Sequence, residues 1–155
     1  MSVEIDQSGK IEQLNTPTTV GVANDIKLAI RISTSNKQRL LFRLRKSLIP
    51  RNDLYPIIFS ILIYMILIKL TKMPTKIIID EEYSGKEKLI ENTIRKLLKR
   101  KSTKWNGDIF FKQIGKGSIA HDVAWATHSK TKKNKYKSFT TTDSEILKFF
   151  LTFSF

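Results

Sequence analysis

The run PIIFSILIYMILIKL, residues 56–70, constrains this chain more than any other stretch. Its continuous apolar part, Ile57 to Ile68 with Ser60 inside, has to be hidden from water on every side of a helix. An ordinary membrane span needs about 20 residues, and this run falls short, so we expect a helix buried in a folded core. A tilted or re-entrant membrane segment is the alternative. With 155 residues and 41% apolar content the chain has enough material for one such core, and we expect a single domain over residues 1–155.

The flanking patterns say what surrounds that helix. SVEID, TPTTVGVAN and IKLAIRIS are rich in β-branched residues and separated by QSGK and Asn24-Asp25, which predicts an antiparallel meander. SNKQRLLFRLRKSLI places Leu40, Leu41, Leu44 and Leu48 near helical spacing before Pro50, with Ser35 or Asn36 as cap. TKIIID predicts a buried strand, Leu89, Ile90, Ile94, Leu97 and Leu98 an amphipathic helix, and DIFFKQI another strand. Gly115-Lys116-Gly117 then turns the chain into a helix containing AHDVAWA. Residues 131–155 are expected to form a basic loop and a last helix, whose Thr142 and Glu145 have capping-box spacing. The expected fold is α/β, a mixed five-stranded sheet of antiparallel meander plus parallel strands, with helices on both faces.

Charge points to the partner. Lys+Arg 28 against Asp+Glu 14 gives a net charge of +14, which favours a polyanion such as DNA or RNA, although anionic lipid fits the same composition. The absence of cysteine excludes disulfides and thiol chemistry and leans toward the cytoplasm. The start MSVEIDQSGK has acids where a signal peptide needs a basic flank, so no export signal is expected.

On this basic chain the acids stand out. Asp6 ends the first strand, Asp80 ends the fourth, and Asp122 lies about one turn into the helix after the fifth. If the first and fourth strands are parallel neighbours, Asp6 and Asp80 emerge together at their carboxyl ends, where open sheets of this class bind ligands. Carboxylates held that close repel unless a cation neutralises them, and oxygen donors suit Mg²⁺ or Mn²⁺. Such ions activate water and stabilise the leaving oxygen of a phosphodiester. The plainer alternative is a turn acid, a strand-end acid and a helix-dipole acid with no common site.

The strand and helix order, the VEIDQSG opening and the AHDVAWA helix together resemble the ribonuclease H-like (retroviral integrase) superfamily. VEIDQSG resembles the D-x-S-G opening seen especially in an uncharacterised branch that opens D-E-S-G and ends in an Ala-Asp-x-x-Ala helix, where this chain has AHDVAWA with His121 before Asp122. The resemblance runs from Val3 to about Lys130. It implies a metal-dependent nuclease or phosphodiester-transfer domain with Asp6, Asp80 and Asp122 as catalytic metal ligands. Members usually carry a further acid on the helix after the third strand. SNKQRLLFRLRKSLI has none, so either Glu4, Asp53, Glu81 or Glu82 substitutes for it, or the second metal is weakly held, or the domain has lost catalysis.

His121, beside Asp122, is a candidate for proton transfer, with a packing role as the alternative. His121 and His128 supply too few ligands for zinc. IGKGS lacks the full glycine spacing of a phosphate-binding loop and reads first as a plain turn, with Lys116 at the helix start as a candidate phosphate contact. KTKKNKYK offers Lys130, Lys132, Lys133, Lys135 and Tyr136, and LLKRKSTKW offers Arg100 and Trp105, as nucleic-acid contacts; a solvated loop gives the same pattern. Two other functions fit less closely. One is a noncatalytic nucleic-acid-binding module of this fold, the other a membrane-associated basic protein using residues 56–70.

Overall fold

The computed structural model describes residues 1–101, 104–129 and 136–152. In chain order the strands are β1 (Ser2–Ser8), β2 (Thr18–Ala23), β3 (Lys27–Ile32), β4 (Lys76–Asp80), β5 (Asp108–Lys112) and β6 (Lys137–Thr141). The helices are α1 (Thr34–Leu44), α2 (Arg51–Leu67), α3 (Glu87–Arg100), α4 (Ile119–Ser129) and α5 (Asp143–Thr152).

The strands form one open, mixed sheet in the order β5-β4-β1-β2-β3-β6. β1, β2 and β3 make the antiparallel meander, and β4 lies parallel to β1 with Ile5 opposite Ile79. β5 continues parallel beside β4, with Lys112 opposite Asp80. The α/β class and the mixed pairing are those expected from sequence, but the sheet has six strands instead of five. The sixth, KSFTT, pairs parallel with β3 and sets Phe139 opposite Ile30. It is a five-residue edge strand after a lysine-rich segment, and a pairing partner, not its own composition, makes it a strand.

Side-chain alternation divides the sheet into two unlike faces. Val3, Ile5, Val20, Val22, Leu28, Ile30, Ile77 and Ile79 point into the main core, together with apolar side chains of α1, α2, α3 and α5. The other face carries Glu4, Asp6, Gly21, Ala23 and Ala29, and α4 packs across β1, β2 and β3 there. Gly21 makes that approach close. A Cβ on it would lie 2.7 Å from the backbone nitrogen of Ala124 and 2.9 Å from the carbonyl oxygen of Ala120. Ala23, Ala29, Ala120 and Val123 complete the small-residue seam.

α2 contains the apolar run PIIFSILIYMIL and is buried on all sides, with Ile58, Phe59, Ile61, Leu62, Ile63, Ile66 and Leu67 at 0% exposure. It packs against α3 as well as the sheet. No helix among the described residues is long and apolar enough to cross a membrane. α1 is shorter than its leucine spacing suggests. It ends at Leu44, leaving Leu48 fully exposed, and its cap is Ser33, whose Oγ accepts from the Asn36 N–H at 3.2 Å. The capping box of the last helix is present: Thr142 Oγ1 accepts from the Glu145 N–H at 3.2 Å and donates to Glu145 Oε1 at 3.4 Å.

Candidate metal centre

β1 and β4 run side by side in the same direction, so their carboxyl ends coincide at one edge of the sheet. Asp6 and Asp80 share the face that α4 covers, because each lies an odd number of residues from the core-facing Ile5 and Ile79. Glu82 follows Asp80 by two residues just past the strand end. One carboxylate oxygen from each of Asp6, Asp80 and Glu82 lies within 4.8 Å of the other two.

The backbone holds these acids in fixed orientations. Asp6 is 3% exposed, and its Oδ1 accepts from the N–H of Gln7 at 2.8 Å. Its Oδ2 faces His121 Nδ1 at 2.8 Å. Asp80 Oδ1 accepts from the N–H of Ile114 at 2.7 Å, so the segment after β5 positions the acid that ends β4. Tyr83 and Gln7 meet through their side chains behind the cluster.

Electrostatics follow from crowding. Burial, a hydrogen bond with Asp80 and the charges of Asp80 and Asp6 push the Glu82 carboxyl up to about 8, so it holds a proton at neutral pH. Burial chiefly raises Asp6 as well, and the charge of Asp80 adds to this. The Gln7 N–H and His121 act in the opposite sense. Three buried or half-buried carboxylates this close together form a cluster short of positive charge, and hard oxygen donors at this spacing fit Mg²⁺ or Mn²⁺.

The third carboxylate brought to Asp6 and Asp80 is therefore Glu82, and not Asp122. Adjacent residues on a helix point about 100° apart. With His121 directed at Asp6, the half-buried Asp122 accepts a hydrogen bond from the Tyr136 hydroxyl instead. Tyr136, expected to contact nucleic acid, packs on the small-residue seam. Of the other substitutes for the missing helix acid, Asp53 is paired with Lys86 at 2.8 Å. Glu81 donates its N–H to Lys112, and Glu4 lies on the same face as Asp6, one pleat back.

The remaining expected contacts divide by place. Lys116 is exposed in the turn that leads into α4. Trp105 is half-buried, donates from Nε1 to the Pro74 carbonyl at 2.6 Å and lies under the Arg95 guanidinium. It precedes β5, and Arg100 closes α3, so both lie toward the amino ends of β4 and β5, away from the acids. Lys130, Lys132, Lys133 and Lys135 lie outside the described residues.

Against protein-family models, curated proteins and solved structures, this chain has no match. The site's own geometry therefore carries the functional reading.

Proposed function

We propose that this protein is a Mg²⁺- or Mn²⁺-dependent nuclease of ribonuclease H-like architecture, with Asp6, Asp80 and Glu82 as metal ligands. The observation that carries the reading is the convergence of these three carboxylates within 4.8 Å at the carboxyl ends of two parallel strands. A chain of net charge +14 that nonetheless gathers acids at one point supports it.

When bound, the cation activates a water and stabilises the leaving oxygen of a phosphodiester. The chain's own groups prepare the place. The N–H groups of Gln7 and Ile114 orient the Asp6 and Asp80 carboxylates before any ligand arrives. Glu82 would hold such a cation as a carboxylate, which requires release of its proton to solvent. With Nδ1 donating to Asp6, the His121 ring keeps Nε2 for a proton, to accept from water or return to a leaving oxygen.

One observation favours a second reading, a noncatalytic nucleic-acid-binding module. α1 carries no acid, and its one buried charged side chain is Lys37. Cleavage of DNA and RNA substrates with Mn²⁺ separates the two. The nuclease reading expects cleavage by the wild type and loss of about a hundredfold or more in Asp80→Asn. Binding without cleavage, or equal rates in both proteins, selects the second reading.

A further inference from the structure

α4 covers β1, β2 and β3, and beyond it the same face of the sheet reaches β4 and the edge strand β5. Phe110, on that face of β5, is 48% exposed. It lies opposite Ile78, two residues before the Lys112–Asp80 pair, which sets its Cα about 8 Å from that of Asp80. Lys76 lies over its ring at 5.0 Å. On the other side of the acids, Trp125 is 46% exposed. It stands one helical turn from His121, on the side of α4 from which His121 reaches Asp6. Two exposed aromatic rings therefore lie on the sheet edge and the helix to either side of the acids, Phe110 with Lys76 over one face and the rest of its ring in solvent. By contrast Trp105, the other tryptophan, is tied to Pro74 and Arg95.

Exposed rings beside a phosphodiester-cleaving centre suit unpaired bases, whose faces are free to stack; in a duplex those faces are already stacked on one another. The overall positive charge and the nearby Lys76, Lys112 and Lys116 suit the backbone. The acids on the floor accept phosphates only through bound cations, so the inference rests on the metal-dependent reading. We propose that Phe110 and Trp125 stack unpaired bases on either side of the acid cluster, making single-stranded nucleic acid the substrate class.

The test is binding of a labelled oligothymidylate of about a dozen nucleotides, and of a hairpin duplex, with Ca²⁺ in place of the reactive metal. Fluorescence anisotropy is expected to show the single strand bound at least about tenfold more tightly than the hairpin. Trp125→Ala and Phe110→Ala should each weaken the single strand about tenfold, and Trp125→Phe should retain it. Both positions are exposed, and unchanged circular dichroism and Tm establish that the variants fold. Wild-type affinity in both alanine variants, or preference for the hairpin, overturns the proposal. A parallel Mn²⁺ cleavage assay separates it from the metal reading. Cleavage that depends on Asp80 and is indifferent to the aromatics overturns the stacking alone. Aromatic-dependent binding without metal-dependent cleavage supports the stacking and overturns the nuclease.

Discussion

His121 Nδ1 lies 2.8 Å from Asp6 Oδ2, tying the first turns of α4 to the carboxyl end of β1. The imidazole is 32% exposed and the carboxylate 5%, so the ring stands between solvent and the acid. We expect His121→Ala to lower Mn²⁺ affinity about tenfold to a hundredfold, the usual cost of losing a group that orients a metal ligand. Isothermal titration measures it, and unchanged affinity would remove His121 from the site.

Glu82 makes the metal-free protein sensitive to pH. Its carboxyl is raised to about 8 from the ordinary value of 4.5, so between these values the folded state holds a proton that the unfolded state has lost. Stability linked to that proton is fully present below about pH 4.5 and is lost as pH rises through about 8. Tm measured in chelator should fall over this window, and Glu82→Gln should flatten the slope. Divalent cation should restore more Tm at pH 8 than at pH 6, because metal and proton compete for the same oxygens.

Gly21 fixes how close α4 comes to the sheet. An added Cβ meets backbone atoms of Ala120 and Ala124 below 3.0 Å, and backbone cannot step aside as a flexible side chain can. Gly21→Ala is expected to destabilise the fold by about 1–3 kcal/mol and to lift His121 away from Asp6. Urea denaturation reads the first effect; a fall in Mn²⁺ affinity without direct contact reads the second.

Lys37 is 1% exposed, and its ammonium donates to the carbonyls of Lys10 and Gln13 and to Thr18 Oγ1. It thereby latches the loop between β1 and β2 onto α1. Burial lowers its pKa to about 8, so the folded state gives up the proton before the unfolded state does, and stability rises with pH from about 8 to 10.5 on this account. Lys37→Met should abolish that rise. At pH 7 it should cost about 1–3 kcal/mol, since the carbonyls it leaves are without donors, as urea denaturation at each pH would show.

Much of this arrangement is legible in the chain, for stateable reasons. IKLAIRI and KIIID alternate or run apolar at strand length, and PIIFSILIYMIL is too uniformly apolar for a surface helix. Asp6 and Asp80 can be placed together because two parallel strands carry them at matching positions, although β1 runs on two residues past Asp6 to Ser8 while β4 ends at Asp80. Periodicity does not tell which residue of the His121–Asp122 pair faces that edge. A helix turns about 100° between them, and the close fit of Gly21 against Ala120 and Ala124 decides it. Glu82 carries a faint signal, the i, i+2 spacing after Asp80, but Glu81 and Glu4 compete with it until the chain direction past β4 is known. β6 is hidden because its stability comes from β3, more than a hundred residues earlier.

The measurement that reaches the central claim most directly is the Mn²⁺-dependent cleavage rate of Glu82→Gln beside that of Asp122→Asn, each normalised to wild type. If Asp6, Asp80 and Glu82 form the metal centre, Glu82→Gln falls by about a hundredfold or more, while Asp122→Asn stays within a few-fold of wild type. A Glu82→Gln enzyme that cuts at the wild-type rate, with activity lost in Asp122→Asn, would contradict it.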